Sequence, residues 1–227
     1  MKGTISVDIV YREFFTSEIL RWGKANFRSF PWREPGTSGY QILVSEVLLR
    51  KTRAESIVPV YERLLALYPG FSELAGANQS TLENLLKPLG LFRIRSRALK
   101  SIAEEVVTRH GGQLPQDEIA LAALPHCGRY IANAILCFHF GEDRAIVDSN
   151  VHRLLCRHFG FDPVVEIHKA DHMWEFMKSL LPPGKGREFN YAVLDFCSLI
   201  CTARNPKCHM SPINTLCQFC QQRTFNV

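Results

Sequence analysis

Apolar residues recur through most of the chain at the spacing of amphipathic α-helices. In residues 40–52, which read "YQILVSEVLLRKT", the apolar side chains at positions 40, 43, 44, 47 and 48 share one helix face. The same periodicity predicts helices in "SIVPVYERLLALY", "TLENLLKPLG", "SRALKSIAEEVVTRHGG", "QDEIALAAL", "YIANAILCFHF", "NVHRLLCRHFG" and "HKADHMWEFMKSLL". No alternating strand pattern extends beyond a few residues, so the predicted fold class is all-α.

Local signals mark helix ends and interruptions. Ser80 is the predicted N-cap of the helix in "TLENLLKPLG", and the pair Gly111 and Gly112 predicts the end of the helix that follows it. The helical pattern is interrupted in three places, which are "NFRSFPWREPGTSGY", "LPHCGRY" with the later "VDSN", and a cysteine-rich tail. Irregular segments on a helical scaffold are common positions for functional residues.

The bulk composition indicates a globular protein with an anionic partner. The chain has 227 residues, 46% hydrophobic and 22% charged, which is enough for one sizeable core or two smaller lobes. A formal net charge of +5 and a pI near 8.8 favour a partner such as nucleic acid. The N-terminal sequence lacks the apolar core of a signal peptide, and Pro125, Gly128 and Arg129 interrupt the most apolar stretch. We therefore expect an intracellular protein, cytoplasmic if it is prokaryotic, that has no transmembrane helix.

Four of the eight cysteines, Cys201, Cys208, Cys217 and Cys220, fall within the twenty residues "CTARNPKCHMSPINTLCQFC". Thiols stay reduced inside cells, where a tight bunch of cysteines binds metal more often than it forms disulfides. However, the first gap of six residues is wider than the C-x2-4-C pairs typical of zinc ribbons. The spacing alone leaves a metal site, a disulfide knot and a chance cluster open.

A hairpin and an aspartate form the next candidate site. "ALPHCGRYIANAILCF" predicts a short helix, a turn from Pro125 to Gly128, and a second helix beginning near Tyr130. Backbone N–H groups at such a turn can bind a phosphate oxygen, although an ordinary αα-hairpin has the same pattern. Eighteen residues after Tyr130, Asp148 is the predicted N-cap of the next helix, and capping alone is its simplest role.

In combination, these features resemble the endonuclease III-like helix-hairpin-helix DNA glycosylases. The resemblance covers nearly the whole chain and rests, in order, on "FPWR", "SEVLLRKT", "LGLFRIRSRALK", "LPHCGRY", "VDSNVHR" and "REFNYAVLDFCSLIC". It implies two helical lobes, with the helix-hairpin-helix in residues 30–140 and a C-terminal iron-sulfur cluster loop in residues 1–29 plus 141–227. It also implies an active site in the cleft between the lobes, and a monomer that binds double-stranded DNA containing a mismatched or damaged base.

The resemblance assigns the chemistry to particular residues. It makes Asp148 the essential aspartate, whose carboxylate stabilises the positive charge that develops on the sugar or activates water. Lyase-competent members have a lysine where this chain has Tyr130, so no Schiff base is expected and the implied activity is that of a monofunctional glycosylase. Glu46 aligns with a glutamate that protonates or orients the base, and Asn150 with an asparagine near the sugar. Without the resemblance, the simplest roles are an exposed ion pair of Glu46 with Arg50, core packing of Tyr130 and a first-turn position for Asn150.

The resemblance also implies which residues contact DNA around a flipped base. In "GLFRIRSRA", Leu91 or Phe92 is the expected apolar wedge, unless this segment is an ordinary helix start with solvated arginines. Polar contacts are expected from the same segment (Arg93, Arg95, Arg97), from "LLRKT" (Arg50, Lys51, Thr52), from the hairpin (His126, Gly128, Arg129) and from "TARNPK" (Arg204, Lys207).

The hairpin departs from the family pattern Leu-Pro-Gly-x-Gly because His126 replaces the first glycine. A residue other than glycine with positive φ costs about 1 kcal/mol. Either the turn is adjusted, or His126 supplies a phosphate or base contact of its own.

Two related branches share the residues at positions 46, 130, 148 and 150, namely the thymine-mismatch glycosylases and the adenine glycosylases. "LLRKT" and "REFNYAVLDF" resemble the first branch more closely, and 227 residues leave no room for the extra C-terminal domain of most adenine glycosylases. The expected substrate is therefore thymine or uracil opposite guanine, with adenine opposite guanine or 8-oxoguanine as the alternative. A DNA-binding module without enzymatic activity is the alternative of another class.

The cysteine pattern of the family is C-x6-C-x2-C-x5-C, and Cys201, Cys208 and Cys217 occupy its first, second and fourth positions. Ser211 occupies the third. Because four thiolates normally hold a [4Fe-4S] cluster, Cys220 is the candidate fourth ligand. A cluster with a serine or other non-cysteine ligand, and a tail without any cluster, are the alternatives.

Overall fold

The computed structural model describes residues 8–224. Within this range the chain forms helices and no strand, which confirms the predicted all-α class. The α-helices are α1 (Ile9–Asn26), α2 (Gly39–Leu49), α3 (Ala54–Leu67), α4 (Phe71–Ala75), α5 (Gln79–Leu86), α6 (Phe92–His110), α7 (Glu118–Ala123), α8 (Gly128–Phe138), α9 (Ser149–Phe159), α10 (Asp171–Ser179), α11 (Gly186–Leu199) and α12 (Gln218–Thr224). Short 3-10 segments occupy Pro31–Arg33, Lys87–Leu89, Ile167–Lys169, Cys208–Met210 and Asn214–Leu216. None of the helices between residues 8 and 224 is long and apolar enough to cross a bilayer.

Each helix that the periodicity predicts is present, although several boundaries differ, two of them at informative positions. The helix predicted for residues 40–52 ends at Leu49, so the polar residues that follow it form a turn. The N-cap of α5 is Asn78, whose Oδ1 accepts a hydrogen bond from the Thr81 N–H at 3.1 Å. The prediction of Ser80 is therefore wrong. Asparagine and serine cap helices about equally well, so the residue types alone do not distinguish the two positions.

The chain divides into two compact units. The central unit is Ser29–Phe140, and the terminal unit comprises Met1–Arg28 and Gly141–Val227. The boundary lies one residue from the expected lobe of residues 30–140. Helices α2 to α8 belong to the central unit, while α1 and α9 to α12 belong to the terminal unit.

The core of the central unit is built around α2 and α8, which pack against each other. A capping box starts α2, in which the Ser38 Oγ accepts from the Gln41 N–H and the Gln41 Oε1 accepts from the Ser38 N–H. All side chains of residues 42–48 and 131–138 are buried. Because α2 is buried on nearly every side, its one acidic residue, Glu46, also lies inside the unit.

In the terminal unit, α1 packs closely against α11. A Cβ added to Gly23 would lie only 2.5 Å from the Ala192 Cβ, so glycine is what permits this approach. The end of α1 is held by Asp195, which is fully buried and accepts hydrogen bonds from the Arg28 backbone N–H (3.0 Å) and Nε (2.7 Å).

Residues 141–148 lead without helical structure into α9 and so determine where α9 begins. The Asp143 carboxylate accepts hydrogen bonds from the backbone N–H groups of Gly184 (2.7 Å) and Gly186 (2.8 Å). The buried Asn190 Nδ2 donates to the Arg144 and Gly186 carbonyls, both at 2.8 Å. These bonds tie the segment to the start of α11 and thereby fix the position of Asp148 at its end.

Candidate active site and DNA-contacting loops

Asp148 is the N-cap residue of α9 in the terminal unit. Its Oδ1 accepts hydrogen bonds from the backbone N–H groups of Asn150 (2.8 Å) and Val151 (2.7 Å), and its Oδ2 accepts one from the Asn150 Nδ2 (2.8 Å). The side chain is partly exposed, and the positive end of a helix favours an anion at this place. Capping is therefore one role of Asp148, and it gives the carboxylate a fixed orientation.

Arg153 connects this site to the cysteine region, and the sequence analysis missed its role. Its Nη1 donates to the Asn150 Oδ1 at 3.0 Å, and its Nε and Nη2 donate to the Cys201 carbonyl at 3.0 and 2.8 Å. Asn150 and Arg153 are three residues apart on α9, and this spacing was a signal that could have paired them. Arg153 thus orients the amide that donates to Asp148.

Glu46 and Tyr130 lie in the central unit. Glu46 is 5% exposed, so the alternative of an exposed helix face carrying an ion pair is wrong. Tyr130, in the first turn of α8, is partly buried and packs against the core of the unit. Core packing is therefore one role of Tyr130, as the simplest interpretation of this residue predicted.

The hairpin between α7 and α8 keeps the backbone of a glycine-containing turn. His126 has a φ of 62°, and Gly128 also has a φ of 62°. The turn is closed by a hydrogen bond of 3.1 Å from the Cys127 N–H to the Leu124 carbonyl. The turn is therefore not adjusted to its histidine, since His126 itself adopts the left-handed conformation and leaves its side chain exposed.

Two further loops of the central unit contain the predicted probe residues. Lys51 has a φ of 54° and is exposed, and Leu91 has a φ of 48° and is 49% exposed. Phe92 is partly buried against the core, so Leu91 is the more exposed of the two predicted wedge residues. Ile94, which the sequence analysis did not select, is 60% exposed beside it.

Arg95 is buried, with only 3% of its surface exposed. The prediction that it lies near phosphate together with Arg93 and Arg97 is therefore wrong. Burial lowers the pKa of its guanidinium, and its hydrogen bonds go to protein oxygens rather than to solvent. A buried guanidinium cannot reach DNA without rearrangement, so direct phosphate contact does not fit its position.

The other predicted DNA contacts have accessible side chains. Arg93 and Arg97 on α6 are exposed, and so are Arg204 and Lys207 in the loop that follows α11. Thr52 and Arg129 are partly exposed. The loop after α11 is held by Arg157, whose two Nη atoms donate to the carbonyls of residues 202 (2.7 Å) and 203 (3.0 Å).

The four clustered cysteines line one pocket in the terminal unit, and Ser211 lines it with them. The Cys220 thiol is in hydrogen-bonding contact with the thiols of Cys208 and Cys217, and burial, reinforced by these contacts, raises its pKa. Cys201 interacts with the Arg157 Nη1 at 3.7 Å. In residues 8–224, no three His, Cys, Asp or Glu side chains are arranged to hold a single metal ion. Four thiols are the donor set that an iron-sulfur cluster takes.

Comparison with known sequences identifies relatives over nearly the full chain. The thymine/uracil-DNA glycosylase of Methanothermobacter thermautotrophicus is 35% identical over 210 residues, which cover 92% of this chain and 94% of that protein. The enzyme of the same name from Pyrobaculum aerophilum is 36% identical, covering 92% and 93%. The adenine DNA glycosylase of Mus musculus is 33% identical over 92% of this chain but only 42% of that protein.

Comparison with known structures also identifies DNA glycosylases and endonuclease III as similar. A thermostable thymine-DNA glycosylase superposes with a TM-score of 0.87 at 32% identity, over 94% of this chain and 98% of the other. Endonuclease III in a non-covalent DNA complex superposes with a TM-score of 0.83 at 19% identity, which shows a common fold. Residues 44–183 match the family model for the HhH-GPD superfamily base excision DNA repair protein. The resemblance seen in the sequence is confirmed, and the chain belongs to the HhH-GPD superfamily of base excision DNA repair proteins.

Proposed function

We propose that this protein is a monofunctional DNA glycosylase that removes thymine or uracil mispaired with guanine from duplex DNA. The observation that carries the proposal is the alignment with two thymine/uracil-DNA glycosylases over more than nine-tenths of both proteins. Adenine glycosylase activity is the second candidate, since the adenine DNA glycosylase of Mus musculus is 33% identical over 218 residues.

Asp148 is the residue proposed to act on the sugar. Breaking an N-glycosidic bond leaves positive charge on the sugar ring, and a carboxylate aimed at that charge lowers the barrier or activates the attacking water. The three hydrogen bonds from Asn150 and Val151 hold the carboxylate in one orientation, which limits the reorganisation needed during the reaction.

Glu46 and Tyr130 are proposed to act on the target nucleotide from the central unit. A buried carboxylate at position 46 can hold or protonate the base that leaves. Tyr130 has no amine, so it cannot form the Schiff base that a lyase requires. Water is then the nucleophile, and the product is an abasic site in an intact strand.

The test is a cleavage assay with duplexes that contain T:G, U:G, A:G or A:8-oxoguanine. We expect strand breaks at T:G and U:G only after alkali treatment, because alkali cleaves the abasic product. Cleavage confined to the adenine mispairs would establish the second candidate instead. Binding to all duplexes without any abasic product would make the protein a DNA-binding module.

Asp148→Asn tests the proposed catalytic residue without removing the helix cap, because asparagine caps as well as aspartate. The cleavage rate should fall at least about hundredfold. Asp117→Asn is the matched control, since Asp117 caps α7 through a hydrogen bond of 2.7 Å from the Ala120 N–H. Equal rates for the two variants would exclude Asp148 from the chemistry.

We also propose that Cys201, Cys208, Cys217 and Cys220 hold a [4Fe-4S] cluster. Their common cavity supports the assignment, and the contacts of Cys220 with two of the other thiols support it as the fourth ligand. When bound, such a cluster would cross-link the cysteine loop and serve a structural role. Arg204 and Lys207 in that loop would face phosphate.

Iron and sulfide analysis of anaerobically purified protein tests the cluster. We expect Cys220→Ser to lose iron and visible absorbance, and the double variant with Ser211→Cys to regain them. Cys156→Ser is the control, because Cys156 does not line the cavity. A Cys220→Ser protein with a full iron content would point to a different fourth ligand.

A further inference from the structure

Three loops of the central unit place non-glycine residues in the left-handed backbone region. Lys51, Leu91 and His126 have φ values of 54°, 48° and 62°, and in residues 8–224 only Asn205 shares this property among non-glycine residues. Such conformations are unfavourable for L-residues and persist only where neighbouring structure holds them. Something must therefore hold these loops in place.

Arg95 holds two of the three loops. Its Nη1 donates to the carbonyls of Leu89 (2.7 Å) and Gly90, which directly precede Leu91. Its Nη2 donates to the Arg50 carbonyl (2.6 Å) and to the Thr52 Oγ1, which lie on either side of Lys51. One guanidinium thus fixes the peptide groups around both left-handed residues.

A second arginine extends the connection to the hairpin. The Arg50 side chain donates through its Nη2 to the His126 carbonyl, while the Arg50 carbonyl accepts from Arg95. The three loops are therefore joined by backbone carbonyls that two guanidinium groups bind. The planar fork of arginine suits this task, because it presents several donors in fixed directions and lysine cannot reproduce them.

We propose that Arg95 is a positioning residue that locks the loops carrying Lys51 and Leu91 in the conformation that engages DNA. It acts through those loops and does not touch the nucleic acid itself. The inference rests on the proposed function, since it assigns Leu91 to the gap left by a flipped base and Lys51 to the DNA beside it. It also explains why a charged side chain is buried on the face of α6 that packs into the core.

The test compares Arg95→Lys with Arg109→Lys, because Arg109 is exposed in the last turn of the same helix and has no predicted contact with DNA. Each variant is bound to a G-mismatched duplex in which 2-aminopurine, placed beside the mismatch, brightens when a wedge unstacks it. Single-turnover cleavage, the salt dependence of binding and thermal unfolding are measured alongside. The fluorescence requires no cleavage, so it tests Arg95 even if the proposed substrate is wrong.

We expect Arg95→Lys to lose most of the fluorescence rise and about 10- to 100-fold in cleavage rate, as misplaced contact groups commonly cost. A duplex in which the target base lies opposite an abasic site needs no wedge. Arg95→Lys should therefore cleave this duplex at nearly the wild-type rate. In Arg95→Met, which removes the charge, the slope of log affinity against log salt should not change, whereas a lost phosphate contact would reduce it by about 1.

Three results would overturn the inference. A reduced salt slope would make Arg95 a direct phosphate contact. If the cleavage rate falls equally on the mismatched duplex and on the duplex with the abasic site, and the unfolding temperature falls as well, Arg95 contributes to stability only. Fluorescence and cleavage equal to those of Arg109→Lys would show that the loops hold their conformation without it. Failure of wild-type protein to cleave any duplex would instead contradict the proposed function.

Discussion

Replacing His126 with glycine should stabilise the protein. The histidine has a φ of 62° and an exposed side chain, so glycine relieves strain without removing a buried contact. Left-handed backbone costs an L-residue about 1–2 kcal/mol, which glycine would relieve. The greater conformational freedom of glycine in the unfolded chain offsets about 0.5–1 kcal/mol of this stabilisation. The free energy of unfolding should therefore rise by about 0.5–1 kcal/mol. For a chain of this size, the unfolding temperature should rise by a few degrees, roughly 1–4 °C.

The reverse change at Gly128 provides an internal control. Gly128 also has a φ of 62°, and an added Cβ would meet no atom within 4 Å. Gly128→Ala therefore introduces strain without a steric clash and should lower the free energy of unfolding by about 1 kcal/mol. Urea unfolding measures both changes, and the dependence of the unfolding free energy on urea concentration should be the same in both variants as in the wild type.

The outcome also decides what the histidine does. The His126 carbonyl, which accepts from Arg50, is retained in His126→Gly, so the connection between the loops should persist. A loss of stability greater than about 1 kcal/mol would refute the strain argument and give the imidazole a structural role. Weaker duplex binding by a more stable variant would assign the imidazole a contact with DNA.

Other predictions concern the terminal unit. Arg153→Met should slow cleavage about tenfold or more without weakening DNA binding, because Asn150 loses the donor that orients it; a parallel loss of duplex affinity would argue against this. Burial lowers the pKa of His158 to about 3, so its contribution to stability is complete above its ordinary pKa near 6.5 and is lost as pH falls from there. His158→Phe should therefore reduce the slope of unfolding free energy between pH 7 and pH 5 by up to about 1.4 kcal/mol per unit, and an unchanged slope would contradict the assignment. Gly23→Ala should cost about 1–3 kcal/mol by forcing α1 away from Ala192, which urea unfolding would detect.

The periodicity of apolar residues predicted the helices well because burial on one face dominates their formation. It predicted α2 through the apolar residues at positions 40, 43, 44, 47 and 48, all of which are buried. It did not predict that α2 ends at Leu49, because the turn after it is held by Arg95, which lies more than forty residues further along the chain. Local patterns do not contain such distant hydrogen bonds.

The candidate site was accessible to sequence reasoning where a residue's role depends on its neighbours in the chain. The capping of α9 by Asp148 follows from its place directly before an amphipathic helix. The link from Arg153 to the Cys201 carbonyl spans 48 residues and has no local signature. The common cavity of the cysteines likewise depends on how α9, α11 and α12 pack, which spacing alone did not determine.

The burial of Arg95 could have been predicted, because the information needed to place it is in the sequence. Ala98, Leu99 and Ile102 follow it at three, four and seven residues, and all three are buried. The periodicity that assigned those apolar residues to the core assigns Arg95 to the same face, whereas Arg93 and Arg97 fall elsewhere. The prediction that all three arginines lie near phosphate was based on their charge and did not use this periodicity. Because burying a guanidinium is costly unless it is hydrogen-bonded, an arginine on an apolar helix face predicts a set of oxygen acceptors nearby. Here those acceptors belong to the two loops that contain Lys51 and Leu91.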